Sequence, residues 1–210
     1  MVSFSQNTIN SLCQYPTVAS TTAAEEILDR LVHEIDHNPA LLSLSALPYT
    51  RIIRSWARTS TETAASIFYA RELLTKMQQR HDACPTDTNH INGSENTSNF
   101  KRHPAPDTYT YNSFLYACTM SAHEQALAMA QDVVNIVEAQ TLEEHCPVRA
   151  DTSIYNALIL VYANQADKLY GAAAAAEDCL LRLSKLALEG GPRPDTQSFN
   201  RVLKAWTMSQ

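Results

Sequence analysis

The stretch ADTSIYNALILVYA, residues 150–163, decides the fold of this chain, because the chain contains three further copies of its pattern. Asn112, Asn156 and Asn200 hold the same place in three of the four copies and lie 44 residues apart, and Thr50 holds that place in the copy that comes first along the chain. We call these four residues the anchors. A fixed period of roughly 20–50 residues predicts an array of stacked repeats. The further copies are PDTYTYNSFLYACT at 106–119, PDTQSFNRVLKAWT at 194–207 and the more divergent LPYTRIIRSWAR at 47–58.

Apolar residues recur at fixed offsets around every anchor. An aromatic residue stands immediately before the anchor, two apolar residues follow it by two and three places, and a tryptophan, tyrosine or cysteine follows it by six. These spacings place the whole set on one face of an α-helix. The anchor and the residue four places after it lie on a different, partly polar face. The apolar sets are Tyr49, Ile52, Ile53 and Trp56; Tyr111, Phe114, Leu115 and Cys118; Tyr155, Leu158, Ile159 and Tyr162; and Phe199, Val202, Leu203 and Trp206.

A second amphipathic helix is predicted after each of the first three anchored helices, at about 62–80, 124–141 and 171–188. The sequence therefore predicts an all-α fold, an α-solenoid of stacked helix-turn-helix hairpins. Its predicted sections are a weakly structured N-terminal tail at 1–20 and a helical repeat array at 21–210, which divides into a partial repeat at 21–40, a repeat at 46–81, a disordered insertion at 82–105, repeats at 106–149 and 150–193, and a partial repeat at 194–210.

Short polar residues predict where several helices begin. Asp107, Asp151 and Asp195 precede the anchored helices and are good N-terminal caps. Capping boxes at Thr22–Glu25 and Ser121–Glu124 predict two further helix starts. In the part of the chain before the first clear repeat, the first of these boxes is predicted to open a helix that runs to about residue 37.

The composition restricts the possible functions. A net charge of −6 and a pI near 5.6 argue against strong nonspecific nucleic-acid binding, which usually needs a basic surface. Five cysteines show no CxxC spacing, and Cys118 and Cys179 fall in apolar helical runs, which predicts buried reduced thiols in a reducing compartment. The chain has no run of 18 apolar residues, so no membrane span is predicted.

Known catalytic motifs are absent from the sequence. His33 and His37 are one helical turn apart, but Glu34 and Asp36 flank them on a face that the pattern predicts to be solvated, which favours a surface position over metal ligation. The chain has only four glycines, which leaves little room for a phosphate-binding loop. The sequence therefore predicts no enzyme activity, no metal and no cofactor.

At the repeated stretches the chain resembles the pentatricopeptide repeat proteins. The resemblance lies in the pattern Pro-Asp-Thr-x-x-aromatic-Asn, which is followed by an apolar helix and by a second amphipathic helix. It is strongest over residues 106–210, fair over 47–80 and weak over 23–37. The 44-residue period is longer than the family's usual repeat, and the acidic charge also departs from the family. The resemblance implies binding of single-stranded RNA, with one base for each repeat.

In that family two residues of each repeat read the base, namely the anchor and the residue that closes the repeat. The resemblance therefore implies the reading pairs Thr50 with Asp107, Asn112 with Asp151, and Asn156 with Asp195, with Asn200 as a further anchor. Thr with Asp resembles a guanine reader and Asn with Asp a uracil reader. The residues alone leave open that the anchors form local bonds and that the aspartates only cap helices. Arg51, Arg54, Arg201 and Lys204 follow the outer anchors and are expected either to contact phosphates or to be solvated.

The resemblance thus implies a noncatalytic adaptor in organellar RNA processing, stability or translation, located in a mitochondrion or chloroplast. No transit peptide is visible in the first 20 residues, so the other expectation is a cytoplasmic location. The alternative function is a protein-binding scaffold in the manner of tetratricopeptide repeats. The last helix is expected to expose its apolar face, because no second helix follows it before Gln210. We expect this face to dock on another protein or to continue into further repeats.

Overall fold

The computed structural model describes residues 2–38, 44–83, 103–141 and 148–209. All regular secondary structure in these ranges is α-helical, which confirms the all-α prediction. The chain divides into two compact units, residues 1–106 and 107–210. The first unit contains α1 (Val2–Leu12), α2 (Val18–His37), α3 (Leu47–Arg58) and α4 (Ser66–Ala83), and the second contains α5 (Thr108–Met120), α6 (Ala126–Thr141), α7 (Thr152–Gln165), α8 (Ala172–Leu188) and α9 (Thr196–Met208).

The N-terminal segment of the first unit is a helix, which corrects the expectation of a weakly structured tail at 1–20. Helix α1 packs against α2 and α3, and its Ile9 is fully buried. The Ser, Thr and Asn residues around Ile9 have low helix propensity, so the sequence alone favours a tail. Burial of an apolar side chain against neighbouring helices outweighs that weak preference.

Helix α2 begins earlier than the sequence predicts. Its N-cap is Thr17, whose side-chain oxygen accepts a hydrogen bond from the backbone N–H of Ser20, 3.1 Å away. Ser20 Oγ accepts one from the Thr17 backbone N–H in return, at 2.9 Å. The predicted capping box at Thr22–Glu25 therefore lies inside the helix, where the Thr22 hydroxyl donates to the carbonyl oxygen of Val18. The predicted end of the helix near His37 is confirmed.

Helix α4 starts at Ser66 rather than near Glu62, and this shift sets which residues face inward. Ile67, Leu74 and Met77 of this helix are buried, whereas Phe68 is exposed. Ala64, which the predicted helix includes, is exposed and precedes the helix. The predicted disordered insertion at 82–105 lies mostly outside the described residues, since the structure describes only 82–83 and 103–105 of it.

The second unit contains the clearest repeats. Helix α5 packs against α6 and α7, α7 also packs against α6, α8 and α9, and α8 packs against α9. The predicted caps are confirmed. A side-chain oxygen of Asp107, Asp151 or Asp195 accepts a hydrogen bond from the backbone N–H three residues later, at 2.7, 3.0 and 2.9 Å respectively. These caps fix where α5, α7 and α9 begin.

The second helices of this unit also follow the predicted pattern, with one correction at α6. No capping box forms at Ser121–Glu124. Instead, Ser121 Oγ accepts from the His123 backbone N–H, and His123 Nδ1 accepts from the Gln125 backbone N–H, so that the helix begins at Ala126. Helix α8 ends as predicted before Gly190, which adopts a positive φ of 85°. This left-handed residue suits the end of a helix.

The predicted apolar faces are buried in the first three copies, since all twelve of their residues lie in the core. In the fourth copy Val202 is buried, whereas Phe199, Leu203 and Trp206 are 52%, 63% and 46% exposed. The predicted exposure of the α9 apolar face is therefore confirmed in the second unit. Cys118 and Cys179 are buried thiols as predicted. Among the described helices, none is both long and apolar enough to cross a membrane.

Candidate nucleic-acid interface

The anchored helices of the second unit line a groove that encloses about 390 Å³. Helices α5, α7 and α9 contribute to its walls, and these helices pack in the order in which they follow one another along the chain. We call this site the anchor groove. It brings together four residues that the resemblance assigns to RNA recognition, namely Asn112, Asn156, Asp195 and Arg201. Its other lining residues are Tyr116, Thr119, Thr152, Ser153, Ala157, Leu160 and Gln197.

Asn156 and Asp195 form a direct hydrogen bond at one end of the anchor groove. Asn156 Nδ2 donates to Asp195 Oδ1 at 3.0 Å, and the same carboxylate oxygen accepts from the Ser198 backbone N–H at 2.9 Å. These bonds favour the charged carboxylate, and the one from the Ser198 backbone contributes most to lowering the pKa of Asp195 below its ordinary value. Only 4% of the Asn156 surface is exposed. The third reading pair, Asn156 with Asp195, is therefore joined by a direct hydrogen bond.

Asn112 and Asp151 are linked through a bridging serine instead. Asn112 Nδ2 donates to Ser153 Oγ at 2.7 Å, and Ser153 Oγ donates to Asp151 Oδ1 at 2.6 Å. Asn112 is half-buried, so its side chain is more accessible than that of Asn156. Ser153 lines the anchor groove and Asp151 is not among its lining residues. The structure thus connects both asparagine anchors to the predicted aspartates, but through different contacts.

Arg201 supplies a positive charge within the anchor groove. Its guanidinium donates to Gln197 Oε1 at 3.1 Å, one helical turn earlier on α9. Partial burial lowers the pKa of Arg201, and the nearby Asp195 carboxylate opposes that effect. An arginine remains protonated at neutral pH even with a lowered pKa, so the groove contains a permanent cation.

The remaining predicted residues of α9 lie outside the groove lining. Lys204 is exposed, and its Nζ donates to Asn164 Oδ1 on α7 at 2.8 Å. Asn200 is exposed as well. Lys204 is therefore close to α7 without lining the groove, and Asn200 is a surface residue of α9.

The first reading pair is divided between the two units. Thr50 lies in the first unit on α3, is 1% exposed, and donates from its hydroxyl to the Ala46 carbonyl oxygen at 3.0 Å. Asp107 lies in the second unit and caps α5, where its Oδ1 also accepts from the Thr110 hydroxyl at 2.6 Å. Arg51 is half-buried and Arg54 is exposed on the same helix as Thr50.

His33 and His37, the histidine pair on α2, contact each other. The rings of His33 and His37 stack with centroids 4.1 Å apart, and His37 Nδ1 bonds to the backbone carbonyl of His33. Both side chains are exposed, as the sequence predicts. Over the described ranges, no group of three or more His, Cys, Asp or Glu side chains is placed to hold a metal ion.

Sequence reasoning misses two serines that organise the anchor groove, Ser153 and Ser198. Each lies in the first turn of an anchored helix and bonds to the asparagine anchor of the preceding repeat. Their signal in the sequence is weak, because a serine two or three residues after a capping aspartate is common at any helix start. Only the packing of α5, α7 and α9 shows that these hydroxyls reach an anchor.

Comparison of the chain with protein-family models, with curated proteins and with solved structures finds no match.

Proposed function

We propose that this chain is a noncatalytic adaptor that binds single-stranded RNA along an α-solenoid of the pentatricopeptide type, and that it acts in organellar RNA processing, stability or translation. The observation that carries the proposal is the anchor groove. Three successive anchored helices bring Asn112, Asn156, Asp195 and Arg201 to a single concave surface. These residues occupy the repeat positions that the resemblance assigns to base reading and phosphate contact.

The chemistry of the anchor groove suits an unpaired base. The asparagine amide combines donors with an acceptor, which matches the edge of a nucleobase. Tyr116 is partly exposed on the groove wall, where an aromatic ring offers a surface on which a base can stack. Arg201 offers its guanidinium to a phosphate. Bases of a duplex are stacked and paired, so the proposed ligand is a single strand.

The expected affinity is weak. Recognition of one base is worth about 1–3 kcal/mol, and few reading pairs are present. Association also costs translational and conformational freedom, and the net charge of −6 repels a polyanion. We expect a dissociation constant on the order of micromolar or weaker.

Fluorescence anisotropy at low salt tests the proposal with short G-U-U, G-G-G and A-A-A RNAs and with a duplex as control. The wild type should prefer G-U-U. The Asn112→Thr/Asn156→Thr double variant should shift its preference from uracil toward guanine, since the resemblance assigns threonine to guanine. Equal affinity of both proteins for all three strands would refute base reading.

A peptide-binding scaffold in the manner of tetratricopeptide repeats is the second candidate function. The exposed Phe199, Leu203 and Trp206 on α9 favour it, because exposed apolar faces are typical of protein-binding surfaces. The acidic charge suits a basic amphipathic helix as ligand. Loss of binding to such a peptide on Leu203→Lys substitution, together with no selectivity among the RNAs, would favour this function.

A further inference from the structure

The two asparagine anchors of the anchor groove present different parts of their side-chain amides. Asn156 is engaged at both ends, since Nδ2 donates to Asp195 Oδ1 at 3.0 Å and Oδ1 accepts from Ser198 Oγ at 2.6 Å. Asn112 is engaged through Nδ2, and among the described residues none donates to its Oδ1. With 4% of its surface exposed, Asn156 has little to offer a ligand in this arrangement.

The orientation of the Asn156 amide follows from chemistry. A carboxylate oxygen only accepts hydrogen bonds, so the amide nitrogen must face Asp195 and the amide oxygen must face Ser198. The Ser198 hydroxyl has one proton and two acceptors within reach, Asn156 Oδ1 at 2.6 Å and Asp195 Oδ1 at 3.1 Å. The shorter contact takes the proton. Ser198 is fully buried, so water does not compete for this bond.

We propose that Ser198 is a positioning residue that withholds the Asn156 amide oxygen from RNA, so that Asn112 dominates recognition in the anchor groove. This inference rests on the proposed RNA-binding function and deepens it. A base edge pairs with an amide through a donor and an acceptor together. Asn112 retains its acceptor for such a pair, whereas Asn156 gives its acceptor to Ser198. Removal of the Ser198 hydroxyl releases Asn156 for recognition.

The chain itself contains the natural comparison. The residue three places after the capping aspartate is Ser198 after Asp195, Ile154 after Asp151 and Thr110 after Asp107. Ile154 has no hydroxyl, and the Asn112 amide is accordingly not bonded at that position. Thr110 retains a hydroxyl and donates to its capping aspartate, which indicates that threonine fits this place in a first turn. Ser198→Thr is therefore the conservative variant for Ser198→Ala.

Side-chain amide hydrogen exchange tests this positioning role without RNA. In the wild type, the Asn156 Nδ2 protons should exchange at least about tenfold more slowly than those of Asn112, because a buried, bonded group is protected from solvent. Ser198→Ala leaves the bond from Nδ2 to Asp195 but frees the Oδ1 end of the amide to reorient, so exchange should become faster than in the wild type, and Ser198→Thr should keep the wild-type rate. Equal exchange of the two asparagines in the folded wild type would overturn the inference.

RNA affinity provides the second test, with the G-U-U strand as the probe. Ser198→Ala should tighten binding about fivefold, the worth of one recovered hydrogen bond, and Ser198→Thr should not. The gain should vanish in Ser198→Ala/Asn156→Ala. In the wild type Asn112→Ala should weaken binding more than Asn156→Ala does. A gain that persists without Asn156 would overturn the inference. RNA binding by no variant would refute the proposed function, and the exchange result would still decide the role of Ser198. Thermal unfolding verifies that each variant is folded.

Discussion

Two neighbouring residues on α7, Tyr155 and Asn156, make different contacts in the interior of the protein. Tyr155 is buried, and its hydroxyl donates to Glu138 Oε1 at 2.7 Å. Burial, and after it this hydrogen bond, raises the pKa of the tyrosine. Asn156, the next residue, is also buried, and its side chain bonds to Asp195 and Ser198. The sequence predicts the burial of Tyr155 but not that of Asn156, since an anchor on a polar face should be accessible. The packing of α9 on α7 buries Asn156, and the repeat pattern in the sequence does not predict this packing.

Stability measurements separate these roles. Tyr155→Ala should cost about 3–5 kcal/mol of unfolding free energy, the usual range for removal of a buried aromatic. Asn156→Ala should cost about 1–3 kcal/mol, because it removes the shortest hydrogen bond of the buried Ser198 hydroxyl and one hydrogen bond of Asp195. Asn112→Ala should stay within about 0.5 kcal/mol, since its contact is exposed. Urea denaturation measures all three. An Asn156→Ala effect as small as that of Asn112→Ala would contradict the buried network.

The hydrogen bonds of Asp195 predict that part of the unfolding free energy depends on pH in the acid range. Its pKa is lowered in the folded state by bonds from the Ser198 backbone and the Asn156 side chain. A carboxyl whose pKa is depressed by folding stabilises the protein above its unfolded pKa, here near 3.8, and that contribution is lost as the pH falls through the lower folded value. The stability difference between wild type and Asp195→Asn should therefore shrink between pH 7 and pH 3. Unfolding free energies at the two pH values measure it, and a constant difference would contradict the bonding.

Helices whose starts have a strong signal in the sequence are predicted correctly, and helices with a weak signal are misplaced or missed. Capping aspartates before a regular apolar pattern identify α5, α7 and α9 correctly. The start of α2 is misplaced because Thr22 and Glu25 match the usual capping-box pattern, whereas the box that forms in the structure pairs Thr17 with Ser20. Helix α1 is missed because Ile9 provides little periodicity by itself. In this chain the capping aspartates therefore locate helix starts more accurately than the predicted capping boxes do.

The start of α2 can be tested directly. Thr17→Ala removes the side-chain oxygen that accepts from the Ser20 N–H, and should lower the unfolding free energy by about 1 kcal/mol. Thr22→Ala removes an exposed hydroxyl inside the helix, and should change it by no more than about 0.5 kcal/mol. Chemical denaturation compares the two matched substitutions. A larger loss from Thr22→Ala would restore the start that the sequence predicts.

For the whole molecule, the period predicts the hairpins but not the division into two units. The longer first interval, 62 residues from Thr50 to Asn112 against 44 elsewhere, is the trace of that division in the sequence. Among the predicted sites, the anchor groove gathers Asn112 and Asn156, the anchors of the two complete repeats of the second unit, while Thr50 and Asp107 fall in different units. A repeat period specifies what each hairpin buries, whereas the contacts of an anchor depend on the next hairpin.

Net charge and local charge make opposite demands on RNA binding. The chain carries −6 overall, yet Arg201 lies in the anchor groove and Lys204 beside it on the same helix. If phosphates bind at these side chains, each neutral substitution removes one ion contact. The plot of log affinity against log salt has a negative slope, and for Arg201→Gln its magnitude should then decrease by about 0.7, the value for one contact to a single strand.

Lys185→Gln is the matched control, because Lys185 is an exposed cation of the same unit on α8 and does not line the groove. It changes the net charge equally, so its slope should remain that of the wild type. Anisotropy titrations between low and physiological salt measure both slopes. Equal slopes for the two variants would mean that general electrostatics, and not the anchor groove, govern the binding.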